Sequence, residues 1–168
     1  MIEHRAFPLR PTPVPPVPFK GTYREAGWQR CHAMSAEDGI AFTPWPHPTM
    51  PNWSMPALEA AKCVARQGDE LFERVHPRLY EAYFTKSLNI ADPRVVADIV
   101  ADAGVDMARY TADLEAGVGR EAVVKDYEAA VAEGVRAIPA VILPQTGRSL
   151  VGLVDAATYR AAVEEAGG

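Results

Sequence analysis

The chain has 168 residues, a length typical of one domain or of one domain that carries a subdomain. Hydrophobic residues make up 48% and charged residues 23% of it, which excludes a disordered or fibrous protein. The 17 Lys and Arg against 22 Asp and Glu give a net charge of −5, so neither a nucleic acid nor an anionic membrane surface is an expected partner.

The sequence lacks the common signals for membranes, metals and cofactors. No apolar run approaches the ~20 residues that a membrane span needs, and the first five residues do not resemble a signal peptide, so we expect a cytoplasmic protein. The two cysteines, Cys31 and Cys63, are too far apart for a CxxC redox pair or a zinc knuckle. The four histidines have no HxxxH or HExxH spacing, and no glycine-rich phosphate loop is present, so no metal or cofactor is predicted.

The first third of the chain is dominated by prolines. Residues 2–7 alternate between two faces, which predicts a short strand. The six prolines between residues 8 and 18 require an extended stretch, which is either a surface crossing or a polyproline ligand for an aromatic groove. Residues 19–53 are predicted to be ordered but irregular. The aromatic residues of this part either anchor it to the body or line a substrate groove; they are Tyr23, Phe42, Trp45 and Trp53.

The middle of the chain has helical periodicity. A long helix is predicted from about Pro56, with Asn52 or Ser54 as its cap, and Pro77 is expected to kink or break it near His76. Three further helices are expected to begin near Asp92, Asp106 and Arg120.

After Gly134 the periodicity changes to that of strands. Residues 140–143 and 149–151 form apolar runs on either side of a turn at 144–147, which predicts a β-hairpin. Asp155 is expected to cap a last helix. The fold class is therefore α/β.

The order and spacing of several short segments carry a family resemblance. These are RAFPLRP at 5–11, PNWSMPA at 51–57, NIADP at 89–93 and GVRAIP at 134–139. Over nearly its whole length the chain resembles the DsbA-like branch of the thioredoxin superfamily, and within it the cytoplasmic FrnE-type members. The resemblance implies a thioredoxin-like sheet with a large helical insertion. Residues 1–18 and 134–168 would form the thioredoxin-like part, and 19–133 the irregular segment plus the helical subdomain.

The resemblance also implies where substrate would bind. Pro139 would be the cis-proline of the loop that faces the active site, and Ile138 would offer its backbone to an extended substrate. Trp53, from the aromatic set above, is a further candidate for a substrate groove. The expected partner is a peptide or small-molecule thiol or disulfide.

The front of the chain departs from the family pattern. Members begin with a strand and a CxxC motif at the start of a helix, whereas this chain begins at what would be the second strand. Three explanations are open: a coding start assigned too late, a truncated homologue, or completion by a partner, as in an exchanged homodimer. Without the motif, a DsbA-family thiol–disulfide oxidoreductase homologue would be inactive as given.

Two other functions and two thiols remain to be considered. One alternative is a non-catalytic binding module for a peptide or small molecule. Another is a glutathione-dependent isomerase of the 2-hydroxychromene-2-carboxylate type. Cys31 is the one candidate catalytic residue, because His32 beside it could favour the thiolate, although an incidental cysteine also fits. Cys63, among small apolar residues, is expected in the core.

Overall fold

The computed structural model describes residues 2–36 and 39–167. In chain order the described elements are β1 (Val17–Pro18), α1 (Tyr23–Ser35), β2 (Thr49–Met50), α2 (Met55–Ala65), α3 (Asp69–Phe84), α4 (Pro93–Ala101), α5 (Met107–Glu115), α6 (Val118–Ala132), β3 (Ala140–Leu143), β4 (Arg148–Val151) and α7 (Ala156–Glu165). The α/β class expected from the sequence is confirmed, with helices prevailing over strands.

A bundle of five helices forms the main core. Helix α2 lies at its centre and packs against α3, α4, α5 and α6. Small residues on α2, among them Ala60, let the neighbouring helices approach, and larger apolar side chains fill the space between them. Fully or almost fully buried members of this core include Ala60, Cys63, Val64, Val75, Val96, Val100 and Tyr110.

The predicted caps start the helices that follow. The Asp92 carboxylate accepts a hydrogen bond from the Arg94 backbone at 2.9 Å, and α4 begins at Pro93. The Asp106 carboxylate accepts one from the Ala108 backbone at 3.0 Å, and α5 follows. Asp155 does the same for α7. These bonds satisfy amides that have no partner inside the first helical turn.

The long helix expected from Pro56 is two helices, and its break lies elsewhere than predicted. Gly68 has φ of +130°, a conformation open to glycine and strained for other residues, and it separates α2 from α3. Helix α3 then runs without a break through Pro77. Val75 and Leu79, on either side of Pro77, are buried in the core, and this packing offsets the lost hydrogen bond to Glu73.

The prediction that residues 19–53 are irregular was wrong in part, because they contain α1. Thr22 caps this helix by accepting from the Arg24 backbone. Trp28 is its one buried residue, and it packs with Phe19, Phe42, Trp45, Tyr83 and Phe84 in an aromatic cluster. Phe42 and Trp45 therefore anchor the segment, whereas Tyr23 is 75% exposed.

Residues 2–7 do not form the predicted strand. No described strand lies beside them, and side chains of the bundle take the place of a strand partner. The Ala6 amide donates to the Asp126 carboxylate at 2.7 Å, and Lys62 Nζ donates to the His4 carbonyl oxygen at 3.1 Å. The backbone of this segment is thus bound by helix side chains and not by a sheet.

The proline-rich stretch crosses the surface beside the start of α2. The Arg10 and Ser54 residues exchange two hydrogen bonds, from the Arg10 amide to Ser54 Oγ at 3.0 Å and from the Ser54 amide to the Arg10 carbonyl oxygen at 2.9 Å. The Val14 amide donates to the Asn52 carbonyl oxygen at 3.2 Å. Because Ser54 Oγ is used in this way, it makes no capping bond to α2, although Ser54 holds the cap position.

The predicted hairpin and last helix are confirmed and form a small unit of their own. β3 and β4 pair antiparallel, with Val141 opposite Leu150. Leu143 and Leu150 pack against Ala162 of α7. This cluster is separate from the core of the helical bundle.

Candidate functional site

The loop between α6 and β3 carries the first two candidate site residues. The Ile138–Pro139 peptide bond is cis, the isomer that the family resemblance implies. Ile138 is 42% exposed and Pro139 is exposed as well. The loop is nevertheless fixed at both ends. The Pro139 carbonyl oxygen accepts from the Gly152 amide at 2.8 Å, and the Arg136 guanidinium donates to the Val131 and Val135 carbonyl oxygens.

Strand β3, which follows this loop, has one unpaired edge. Among residues 2–36 and 39–167, β4 is its one strand partner. Side chains alternate along a strand, so Ala140 and Ile142 lie on the face away from the Leu143 and Val141 cluster. Val151, opposite Ala140, is 53% exposed. A fixed apolar loop beside a free strand edge can bind an extended polypeptide by backbone hydrogen bonding.

Trp53, the third candidate, lies at another place. Its ring packs at a small cluster of Ala6, Met55 and Val123, and its Nε1 donates to the Pro11 carbonyl oxygen at 3.3 Å. It shares neither a cluster nor a hydrogen bond with Ile138 or Pro139. The indole therefore anchors the proline-rich stretch in this structure.

Cys31 lies exposed on α1 as a free thiol. The ring of its neighbour His32 is directed elsewhere, because Nδ1 of His32 is hydrogen-bonded to the Phe42 carbonyl oxygen. Cys31 and His32 are adjacent on α1, and this hydrogen bond holds the His32 ring against the segment that follows the helix. Within the described residues, the Cys31 thiol and the His32 ring are not joined by a hydrogen bond.

Cys63 is a core residue, as predicted. It is 0% exposed at the centre of the helical bundle, where α6 passes over it. Burial, and after it the charge of Asp113, raise the pKa of this thiol to about 11. At neutral pH Cys63 is therefore protonated, and the thiolate needed for nucleophilic attack is not available.

The described part of the chain offers no evident metal centre. Over residues 2–36 and 39–167, no three His, Cys, Asp or Glu side chains are grouped so that they could hold a metal ion. The same residues include no helix long and apolar enough to cross a membrane.

The comparison with protein families agrees with this geometry. The family described as DSBA-like thioredoxin domain matches residues 1–164. The chain belongs to the DsbA-like thioredoxin family. A crystal structure described as that of a "putative protein disulfide isomerase" from Nitrosomonas europaea matches with a TM-score of 0.73 and 15% sequence identity, covering 92% of this chain and 76% of that one. At that identity the likeness concerns the fold. No curated protein matches the sequence.

Other contacts that organise this DsbA-like domain are not apparent in the sequence. Lys62 and Asp126 form an ion pair that binds the backbone of residues 4–6. Arg5 pairs with Glu133 at 3.0 Å, close to the start of the Ile138–Pro139 loop. Lys62 on α2 and Asp126 on α6 are far apart in the chain, and charged residues on helices are usually solvated. No local pattern distinguishes them.

Proposed function

We propose that this chain is a homologue of the DsbA-type thiol–disulfide oxidoreductases that binds extended polypeptide through the Ile138–Pro139 loop. Within its 168 residues it would perform no dithiol–disulfide exchange of its own. Its substrate class would be peptides that carry thiols or disulfides, and its role in these residues would be binding and presentation.

One observation carries the binding half of the proposal. The fixed, exposed Ile138–Pro139 loop leads directly into β3, whose second edge has no strand partner among the described residues. Free N–H and C=O groups on such an edge favour the addition of an extended chain. The exposed apolar side chains of Ile138 and Val151 would add contact area for apolar residues of the peptide.

The placement of the two thiols supports the proposal that these residues perform no dithiol–disulfide exchange. Dithiol exchange needs a thiolate and a second thiol that can resolve the mixed disulfide. Cys63 is buried and protonated at neutral pH, and Cys31 lies exposed on another helix. Neither is part of a CxxC motif.

The binding proposal is tested with Ile138→Asp and carboxymethylated, permanently unfolded lactalbumin as the probe. We expect Ile138→Asp to weaken binding by roughly 5- to 30-fold, because it removes apolar contact and places a charge in the interface, at a cost of about 1–2 kcal/mol. Fluorescence anisotropy of the labelled probe measures the dissociation constant.

The matched control is Ile40→Asp. Ile40 is also an exposed isoleucine, at 58%, and its amide donates to the Ser35 carbonyl oxygen at the end of α1. The same substitution there should leave the dissociation constant within a factor of two. Equal affinity of wild type and Ile138→Asp, or a probe that fails to bind the wild type at all, would contradict the proposal.

A further inference from the structure

Residues 2–7, here called the 2–7 segment, are bound to the helical bundle by polar contacts and by the packing of their side chains. The Ala6 amide donates to the Asp126 carboxylate on α6. Lys62 on α2 pairs with Asp126 and donates to the His4 carbonyl oxygen. No backbone ladder supports this segment within the described residues. It is held by these side chains, by the His4 ring, by the burial of Ala6 in an apolar cluster and by the Phe7 ring, which packs on α6.

The His4 ring lies on an aromatic row along α3. Its centroid is 4.9 Å from that of His76 and 5.3 Å from that of Phe72. His76 in turn stacks on Phe72 at 4.8 Å and contacts Tyr80 at 5.1 Å. Two imidazoles from different parts of the chain are therefore in contact, with His76 half-buried and His4 more exposed.

We propose that the His4 and His76 pair is a pH-sensitive latch, which holds the 2–7 segment on the bundle near neutral pH and releases it on mild acidification. Neutral imidazoles pack against each other and against Phe72 without repulsion. Two imidazolium ions with ring centroids 4.9 Å apart repel each other, and each loses hydration in this contact.

The charged groups around the pair set the direction of the effect. Burial, and after it the proximity of His4, lower the pKa of His76, while Glu73 acts in the opposite sense and Lys62 lowers this pKa further. Glu73 Oε1 lies 4.0 Å from His4 Nε2 and is mostly exposed, so solvent weakens its compensation. Tyr80 on the same helix also contacts the His76 ring, with centroids 5.1 Å apart.

Proton linkage determines whether acid strengthens or weakens the attachment of the 2–7 segment. Release of the segment removes His4, which is one of the causes that lower the pKa of His76, so the attached state binds fewer protons than the released state. Attachment of the 2–7 segment is therefore strongest above the ordinary histidine pKa of about 6.5 and weakens as the pH falls below it. Release would also free Arg5 from Glu133, five residues before Ile138.

Hydrogen exchange of the Ala6 amide, followed by NMR between pH 7.5 and pH 5.0, tests the latch. The lower limit stays above the range in which carboxylates ordinarily titrate. After correction for intrinsic exchange rates, the wild-type protection factor should fall about tenfold across this range, because the released segment leaves His76 free to bind a proton. In His76→Phe and in His4→Phe, where an aromatic ring replaces the imidazole, the decrease should be less than threefold.

Two controls separate the latch from other causes. His32→Phe removes a histidine outside the pair and should retain the wild-type decrease. The amide of Val100, in the core of α4, should stay protected at pH 5.0, because the bundle itself remains folded. A pH-independent Ala6 protection factor, an equal decrease in all four proteins, or a parallel decrease at Val100 would overturn the proposal.

Discussion

Replacing Trp28 with alanine is expected to lower the free energy of unfolding by about 3–5 kcal/mol. Trp28 is 7% exposed and is the residue through which α1 joins the aromatic cluster. Its ring contacts those of Phe19, Phe42, Trp45, Tyr83 and Phe84, and its Nε1 donates to the Thr43 carbonyl oxygen at 2.7 Å. The substitution removes this packing and leaves a cavity that the fixed helices around it cannot fill. Urea denaturation followed by circular dichroism measures the change.

Tyr23→Ala provides the matched control on the same helix. Tyr23 is 75% exposed and contacts the Arg24 guanidinium, so its loss should change stability by no more than about 0.5 kcal/mol. Burial raises the pKa of Tyr83 to about 12, which agrees with a cluster interior closed to solvent. If Trp28→Ala were as mild as Tyr23→Ala, α1 would not be docked as the structure describes.

Replacing Gly119 with alanine is expected to destabilise the domain by about 1–3 kcal/mol, the usual cost of overpacking. An added Cβ at this position would lie 2.6 Å from the Glu59 carbonyl oxygen and 2.7 Å from Cys63 Sγ. The first of these atoms belongs to backbone and cannot rotate away. Helices α2 and α6 would have to separate, although alanine is the better helix former by about 1 kcal/mol. Thermal and urea denaturation measure the effect.

Gly27→Ala is the control for the same chemical change in a helix. The nearest atom to an added Cβ there is Arg30 Nη2, at 3.8 Å, so the substitution should be neutral or stabilise the protein by up to about 1 kcal/mol. Combining Gly119→Ala with Cys63→Ala should recover part of the loss, because it relieves the sulfur contact and leaves the Glu59 contact. A Gly119→Ala protein as stable as the wild type would contradict the close approach of α2 and α6.

Local chemistry made much of the fold predictable. The aspartates at 92, 106 and 155 correctly predicted where helices begin, because their short carboxylates accept hydrogen bonds from amides in the first turn. The apolar runs on either side of the 144–147 turn predicted the hairpin, because strand periodicity and turn residues are also local features of the sequence.

The errors arose where tertiary contacts decide the structure. Helix α1 buries a single residue, Trp28, so its sequence has no periodic apolar face from which a helix could be predicted. The 2–7 segment has a strand pattern, but its backbone bonds go to Lys62 and Asp126, which are distant in sequence. Pro77 remains inside α3 because buried neighbours hold the helix together, while Gly68 supplies the break.

The candidate site was accessible to sequence only through family resemblance. A lone proline before a strand does not indicate its isomer, and the cis Ile138–Pro139 bond was implied by the GVRAIP segment and its position. Trp53 was chosen as an aromatic residue among prolines, and it anchors the proline-rich stretch at a cluster apart from the loop. Aromatic content alone did not distinguish an anchor from a groove residue.

The most direct test of the central claim is the oxidation state of Cys31 and Cys63, read by intact mass after diamide treatment of dilute protein. We predict that no intramolecular disulfide forms: native protein should take up one maleimide, at Cys31, and a second only after denaturation exposes Cys63. A monomer that loses the mass of two hydrogens, resists maleimide even when denatured and recovers both thiols on reduction would contradict the account, because the 168 residues would then hold a working dithiol pair.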